Sequence, residues 1–197
     1  SQYLTVPSNA NLALGSGDFT VECWFYRSSN TGEGSLGEQG IISSGTVAAS
    51  QWTVRLSTSN KTLSYWLDGP ANQVYGNTPT VTGTWYHVAL VRNGTGTNNI
   101  SIYLNGVLDG QTTSTYTVAA DTIVIGRTYT DLSDEYFNGY ISNVRVVKGA
   151  AVYTQNFIPT SGPFTTSQTF NQSGIPSCPV QSSQTELLLT TPSNSSY

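Results

Sequence analysis

Acidic residues are the side chains whose spacing in this sequence tests most directly for catalysis. Retaining hydrolysis of a glycosidic bond needs two carboxyl groups about 5–5.5 Å apart, which alternating acids on one strand face provide. Asp18 and Glu22 lie at positions i and i+4 of one predicted strand, which is too far apart for a tight pair. A second acidic group lies in a predicted loop, out of strand phase: Asp131, Asp134 and Glu135. We therefore assign no catalytic residue and expect that the chain is not an enzyme.

His87 is the only histidine, so any Ser-His-Asp triad or Cys-His pair would have to use it. It lies in the middle of a predicted strand, where a half-buried packing role is the simpler interpretation. One histidine and two cysteines are too few ligands for a zinc site. The cysteines, Cys23 and Cys178, allow one disulfide, and a buried free thiol at Cys23 is the alternative.

Aromatic and guanidinium side chains offer a different chemistry, which is ligand binding. Sugar recognition needs a flat aromatic ring beside hydrogen-bonding amide, carboxylate or guanidinium groups. Such residues occur on the polar faces and loops of a predicted middle hairpin and beside the acidic loop. The candidate ligand-binding residues are Arg55, Trp66, Tyr75, Tyr129 and Tyr136. The alternative for each is ordinary packing within the fold.

Four other aromatic residues are predicted to belong to the hydrophobic core. They are Phe19, Trp24, Trp85 and Phe137. A buried aromatic residue of this size typically stabilises a fold by about 3–5 kcal/mol relative to alanine.

The elements that position these residues are predicted to be strands, because apolar and polar residues alternate with a period of two. In 18–27, both alternating faces carry aromatic side chains, which favours a central strand covered on both sides. Asn105-Gly106 between two apolar runs indicates a tight hairpin. Strand spacing of this kind is typical of a two-sheet sandwich. The predicted strands cover 18–27, 51–58, 62–67, 84–92, 99–104, 107–109, 122–126, 136–147 and 186–190.

The composition narrows the classes of partner. Only 9% of the 197 residues are charged, and the formal net charge is −4. The sequence has no basic cluster to neutralise phosphates, so a nucleic-acid partner is not expected. The apolar runs are far shorter than the roughly 20 residues of a membrane-spanning helix, so membrane insertion is not expected.

Three ordered groups of segments resemble the concanavalin A-like lectin/glucanase superfamily, in its laminin-G-like branch. The first is GDFTVECWFY at 17–26, and the second is GTWYHVALVRNG at 83–94 with ISIYLNGVLDG at 100–110. The third is IVIGR at 123–127 with YFNGYISNVRVVKGAAVYTQNFIPTSGPF at 136–164. This last segment is similar to domains of tailed-phage structural proteins, notably from marine phages. The resemblance implies an all-β fold, an antiparallel two-sheet jelly-roll sandwich, and it implies function only loosely.

The same resemblance bears on catalysis and on cofactors. Glucanases of the superfamily carry a Glu-x-Asp-x-Glu run on one strand, and this sequence has none. Laminin-G-like relatives often bind Ca²⁺ through loop oxygens, which are the ligands that this hard cation prefers. Asp131, Asp134 and Glu135 are therefore candidate Ca²⁺ ligands, and a solvated acidic loop is the alternative. No metal ligand is assigned, and no cofactor is expected to be required.

The C-terminal part differs from the rest of the chain in composition and in its lack of regular alternation. We predict a sandwich over 1–164 and an extended Ser/Thr/Pro-rich arm over 165–197 that ends in a strand at 186–190. That strand can close the sheet of its own chain or add to a neighbouring subunit. The residues of this candidate assembly strand are Glu186, Leu187, Leu188 and Leu189.

These observations lead to three functional hypotheses. The first is a non-enzymatic, lectin-like component of a phage virion, such as a decoration, fibre or adhesin, that binds glycans or neighbouring virion proteins. The second is a structural cement or assembly protein that acts through its C-terminal arm. The third is a carbohydrate-binding module of a secreted bacterial protein. All three predict a virion-surface or extracellular location, and we expect a homo-oligomer or a place in a larger assembly.

Overall fold

A computed structural model describes residues 2–29, 37–46, 50–57, 61–67, 73–129, 135–168 and 179–190 of the chain. The described residues form two six-stranded antiparallel sheets and two short 3₁₀ turns, which confirms the predicted all-β sandwich. The strands are β1 (Leu4–Val6), β2 (Phe19–Arg27), β3 (Gln39–Gly45), β4 (Ser50–Leu56), β5 (Leu63–Trp66), β6 (Val74–Tyr75), β7 (Trp85–Arg92), β8 (Ile100–Leu104), β9 (Val107–Thr112), β10 (Ile123–Ile125), β11 (Gly139–Lys148) and β12 (Thr185–Leu189). The 3₁₀ turns are Ala10–Leu12 and Ser182–Gln184.

The strand order defines two sheets. Sheet I runs β1-β10-β3-β4-β5-β6, and sheet II runs β12-β11-β2-β7-β8-β9. Strands that are distant in the sequence are therefore neighbours, as in a jelly roll, and β2 lies between β11 and β7 in sheet II. The described part of the chain contains no helix that is long and apolar enough to cross a membrane.

The core between the sheets follows the predicted alternation. One face of β2 contributes Phe19, Val21, Cys23 and Phe25, and the matching face of β4 contributes a set that includes Trp52. Burial stabilises the fold by roughly 1.5–3 kcal/mol for each large apolar side chain. Cys23 is a buried free thiol, and burial raises its pKa far above the ordinary value, so it acts as a small apolar residue. Cys178 lies outside the described residues.

The β8–β9 hairpin turns where the sequence predicted it. Asn105 and Gly106 have φ angles of 50° and 77°, the left-handed values that the turn requires. A side chain at Gly106 would collide with the carbonyl of Phe157, because the chain after β11 packs directly on this turn.

Residues 150–168, which we call the strap, cross the outer face of sheet II. The Thr20 hydroxyl of β2 donates to Ala150 O and accepts from the Val152 amide. Further along, the Phe157 amide donates to Gly106 O in the hairpin turn. The apolar strap side chains cover a second core cluster on this face: Ala89, Val91, Tyr103, Val147, Ala150, Ala151, Val152, Tyr153, Phe157 and Val180. Sheet II is therefore buried on both faces over much of its length.

The C-terminal strand stays within its own chain. β12 pairs antiparallel with β11, with Leu187, Leu188 and Leu189 opposite Val146, Arg145 and Val144 in turn. Glu186 is partly buried in the same strand. Of the two alternatives left open by the sequence, the structure has the intramolecular one.

The arginines share one property, which is burial. The sequence contains five arginines, and each of them is at most 7% exposed. They are Arg27, Arg55, Arg92, Arg127 and Arg145.

Candidate functional site

An exposed row of aromatic side chains crosses three neighbouring strands on the outer face of sheet II. Tyr140 of β11 lies opposite Tyr26 of β2, and Tyr26 lies opposite Trp85 of β7. The Tyr26 ring centroid is 5.8 Å from that of Tyr140 and 5.6 Å from that of Trp85. Tyr140 is 64% exposed and Trp85 is 44% exposed. We call these three residues the aromatic row.

A pocket of about 250 Å³ adjoins this row. Among the described residues, its lining consists of Trp24, Trp85, Ser142, Asn143 and Ser161, which are all uncharged. Two polar atoms of the lining, the indole nitrogen Nε1 of Trp24 and Oδ1 of Asn143, are buried without a hydrogen-bond partner. The pocket therefore offers aromatic, hydroxyl and amide side chains beside the aromatic row.

A β-bulge in β11 shapes this pocket. The register of β11 against β2 shifts between Ser142 and Arg145, and Asn143 has a left-handed φ of 51°. In a regular strand, consecutive side chains point to opposite faces. The bulge breaks that alternation, and as a result Ser142 and Asn143 both line the pocket.

Next to the pocket, the strap covers a buried ionic cluster. The Glu22 carboxylate accepts hydrogen bonds from Arg145 Nε at 2.7 Å and from the Tyr153 hydroxyl at 2.8 Å. His87 Nε2 lies 3.0 Å from Glu22 Oε2. His87 is fully buried, rather than half-buried as expected, and its ring packs edge-on against Trp24 with centroids 5.4 Å apart.

Electrostatics keep Glu22 ionised in this cluster. Burial alone would raise the pKa of Glu22, but the opposite charge of Arg145 and the hydrogen bond with His87 outweigh it, and the pKa is lowered. Burial, reinforced by the Glu22 charge, raises the pKa of Tyr153, which stays a neutral donor. With both oxygens engaged beneath the strap, Glu22 is suited to holding the structure together rather than to proton transfer.

Arg145 also ties the strap to the sheet. Its Nη1 donates to Thr165 O at 3.2 Å, and its Nη2 donates to Gln168 Oε1 at 2.8 Å. Its guanidinium carbon lies 4.9 Å from the ring centroid of Phe164. One side chain therefore joins β2, β11 and the end of the strap.

On sheet I, the structure brings three of the sequence-predicted residues onto one outer face. The Arg55 guanidinium carbon lies 3.8 Å from the Trp66 ring centroid, and Arg55 forms an ion pair with Glu38. Arg55 is only 3% exposed. Tyr75 lies in the same cross-strand row, opposite Ser64, and is 53% exposed. Its hydroxyl donates to Gln73 Oε1.

Tyr129 and Tyr136 occupy different surroundings. Tyr129 is 4% exposed, and its amide donates to the Ser43 hydroxyl at 2.8 Å. Tyr136 packs against Tyr3 with ring centroids 6.0 Å apart. The Arg127 guanidinium lies 4.1 Å from the Tyr3 ring and 5.7 Å from the Tyr136 ring. Tyr136 thus belongs to a Tyr3–Arg127 stack rather than to the Arg55–Trp66 pair.

The acidic loop falls largely outside the described residues, which exclude Asp131 and Asp134. Glu135 is buried, and its backbone carbonyl accepts hydrogen bonds from the amides of Gly40 and Thr128. The described ranges contain no group of three or more His, Cys, Asp or Glu residues that could hold a metal ion. The Ca²⁺ ligands therefore stay a prediction from the sequence.

The assignment of Trp24 and Trp85 to the core was wrong, whereas Phe19 and Phe137 are buried as predicted. Trp24 and Tyr26 share the outer face of β2, and Trp85 begins β7 on the same face. The sequence did indicate that Trp24 faces outwards. In β2, Trp24 and Tyr26 alternate with Cys23 and Phe25, so they belong to the face opposite the core. The core assignment followed from the usual burial of tryptophan, which outweighed the alternation pattern.

The comparisons with known proteins give the family. Residues 1–155 match the Laminin_G_3 family of the concanavalin A-like lectin/glucanases superfamily, and the chain belongs to that family. The resemblance found in the sequence is thereby confirmed at the level of the superfamily and its laminin-G-like branch. A comparison with curated protein sequences gives no match.

Solved structures of similar fold come from several organisms. A heptameric SAP-like pentraxin from Limulus polyphemus has a TM-score of 0.52 at 20% identity, over 72% of this chain and 65% of that one. Domain 4 of an extracellular arabinanase from Geobacillus stearothermophilus, in complex with arabinotriose, has a TM-score of 0.51 at 20% identity, over 75% and 66%. Domains LG4-5 of the mouse laminin alpha1 chain have a TM-score of 0.52 at 14% identity, over 84% and 45%.

These TM-scores, all slightly above 0.5, show a shared fold. The aligned part spans 65% of the pentraxin chain and 45% of the laminin chain, so the similarity concerns one domain of a larger protein in the laminin case.

Proposed function

We propose that this protein is a non-enzymatic carbohydrate-binding domain and that its glycan lies along the aromatic row of sheet II. The observation that carries the proposal is the exposed row of Tyr140, Tyr26 and Trp85 beside a neutral pocket. Surface aromatic residues in a contiguous patch mark an interaction site. Aromatic rings stack on the apolar C–H faces of sugars, and the hydroxyl and amide groups of the pocket pair with sugar hydroxyls.

Two further observations support a carbohydrate ligand. The chain is poor in charged residues, at 9%, and rich in residues with hydroxyl and amide groups. In addition, the arabinanase domain of similar fold was solved in complex with arabinotriose.

The arrangement favours binding over hydrolysis. β2, β7 and β11 carry the aromatic row, and together they contain one carboxylate, Glu22. Glycoside hydrolysis ordinarily needs two carboxyl groups on opposite sides of the scissile bond. Glu22 is also enclosed by Arg145, His87 and Tyr153, so it is not available to a bound sugar.

A glycan array tests this proposal. The wild-type chain is expected to bind a defined set of glycans, and the double variant Trp85→Ala/Tyr140→Ala is expected to lose that binding. Both side chains are exposed, so the urea midpoint of the double variant should stay close to that of the wild type. Absence of any bound glycan, or full binding by the folded double variant, would exclude the proposed site.

We further propose that the domain is displayed on a virion surface, as an oligomer or within a larger assembly. The support is the similarity of residues 136–164 to domains of tailed-phage structural proteins. Mass spectrometry of gradient-purified particles tests the location, and recovery of the chain in the particle fraction is expected. Recovery only in the particle-free secreted fraction would favour a secreted carbohydrate-binding module instead.

A further inference from the structure

We propose that the aromatic row binds an internal stretch of a linear, uncharged polysaccharide, held as a single chain with one sugar on each of its three rings. This inference rests on the proposed function, because it names the class of glycan that the same site takes. Four features of the row carry it: the spacing of the rings, the tilt between them, the open ends of the row and the absence of exposed charge beside it.

The spacing of the rings matches that of consecutive sugars. The Tyr26 ring centroid is 5.8 Å from that of Tyr140 and 5.6 Å from that of Trp85. The rings stand on three adjacent strands, so the row spans two inter-strand distances, or roughly 10 Å. Two steps along an extended chain of β-1,4-linked pyranoses cover a similar length. Each ring can therefore contact a sugar of its own, and a trisaccharide is the shortest ligand that fills the row.

The tilt between the rings favours a single chain over a crystalline surface. The plane of the Tyr26 ring makes an angle of 55° with that of Tyr140 and 52° with that of Trp85. The three rings therefore do not form one flat platform. A crystalline polysaccharide presents the sugars of one face in one plane, so it can lie flat on only part of the row. A dissolved chain rotates about its glycosidic bonds and can present successive sugars at different angles.

The row is open at both ends in the described sheet. β12 pairs with β11 from Val144 to Val147, so no described strand flanks β11 beside Tyr140. At the other end, the pairing of β7 with β8 begins at Val88, beyond Trp85. A chain longer than the row can therefore continue past either outer ring, whereas a site for chain ends would close around one terminal sugar.

The charges near the row are not available to a ligand. The described lining of the adjoining pocket is uncharged. Glu22 and Arg145 are buried, and they are paired with each other beneath the strap. A carboxylated or sulfated sugar would lose water here without gaining a counter-ion, which is costly. We therefore expect an uncharged chain.

Oligosaccharides of graded length test the inference. The probes are β-1,4-linked glucose, xylose and mannose oligomers and 1,5-linked arabinose oligomers of increasing length up to hexasaccharides, measured by isothermal titration calorimetry. We expect at least one series to bind, with affinity rising about tenfold from the monosaccharide to the trisaccharide and changing less than about twofold beyond it. Reduction of the terminal sugar of the hexasaccharide to its alditol should leave the affinity unchanged, because the row holds inner sugars.

Tyr140→Ala shortens the row from three rings to two. The side chain is 64% exposed, so the fold should keep its stability. Affinity should then level off at the disaccharide instead of the trisaccharide, and binding of the monosaccharide should stay as in the wild type. Tyr75→Ala is the matched control, since it removes a ring that is 53% exposed on sheet I, and its affinity should still level off at the trisaccharide.

Several results would overturn the inference and leave the carbohydrate-binding proposal intact. They are equal affinity for the monosaccharide and the hexasaccharide, loss of binding when the chain end is reduced, and an unchanged length dependence in Tyr140→Ala. Retention on microcrystalline cellulose or chitin powder that soluble hexasaccharides do not displace would overturn it as well. If none of the four series bound, the inference would also fail, and the glycan array, with its branched and charged glycans, would decide the proposed function by itself.

Discussion

The outer face of sheet II has two halves that lie on the same three strands and differ in what covers them. In one half, Glu22 and Arg145 are enclosed by the strap, and their polar groups are paired. In the other half, one step further along the strands, Tyr26, Trp85 and Tyr140 remain open to solvent or only partly covered. Strand alternation places both sets outside the main core. The covering segment then makes one half a structural cluster and leaves the other half available for contact.

The difference is energetic as well as geometric. A buried charge is tolerated only when it is fully paired, so the covered half cannot lose a partner without a large cost. Exposed aromatic rings, in contrast, add little to the free energy of unfolding, and their contiguous row is the site that we propose for glycan binding. The two halves should therefore respond oppositely to mutation, one in stability and the other in affinity.

Deletion of residues 165–197 should have the largest effect. It removes β12 and both strap acceptors of Arg145, and it uncovers part of the second core cluster. We expect a loss of more than about 5 kcal/mol, the lower end of ordinary domain stability, and no cooperative urea transition. A truncated chain that folds normally but no longer assembles would instead favour the assembly role of the arm.

Arg145→Met should cause the next largest loss of folding stability. It leaves the Glu22 carboxylate buried without its cation, which typically costs about 3–5 kcal/mol. Urea denaturation measures the change, and glycan affinity should be preserved in the folded fraction. Lys148→Met, a partly buried cation on the same strand, is the matched control and should stay within about 0.5 kcal/mol of the wild type. Equal losses of stability in the two variants would show that the ionic cluster stabilises the fold no more than a single partly buried lysine does.

Trp85→Ala should reduce glycan affinity and leave the stability of the fold nearly unchanged. We expect a loss of glycan affinity of about thirtyfold, as for a central aromatic contact, with little change in the urea midpoint. Tyr75→Ala removes a comparably exposed ring from the outer face of sheet I and should leave affinity unchanged. If Tyr75→Ala weakened binding and Trp85→Ala did not, the site would move to the Arg55–Trp66 face that the sequence suggested.

Lowering the pH should produce the smallest and most gradual change in the free energy of unfolding. The pKa of Glu22 is lower in the folded chain than its ordinary value of 4.5, so the ionised carboxylate stabilises the fold. This contribution is complete above about pH 4.5 and is lost as the pH falls through the lower folded value. Urea midpoints between pH 7 and pH 3 measure the loss. Glu22→Gln should flatten the low-pH slope, and an unchanged slope would assign the effect to other carboxyl groups.

The sequence predicted the sandwich because its signals are local. Period-two alternation identified β2, β4 and β7, and Asn105-Gly106 identified the turn between β8 and β9. These features depend on residues within a few positions of one another, so they can be read without knowledge of the tertiary structure.

The ionic cluster and the pocket depend on distant parts of the chain. Glu22 and Arg145 are 123 positions apart and meet only because β2 and β11 are neighbours in sheet II. Ser161 reaches the pocket through the strap, which has no periodic pattern to predict its path. The sequence indicated correctly that Arg55 and Trp66 share a face, but it could not show that Arg55 is buried or that Trp85 is exposed.

The burial of all five arginines has a consequence for how the protein meets its partners. Only two lysines remain as possible cationic groups at the surface, in a chain whose formal net charge is −4. Long-range attraction contributes little to association when the contact surface of one partner is uncharged. For the glycan binding that we propose, the association rate should therefore hardly change between low and high ionic strength.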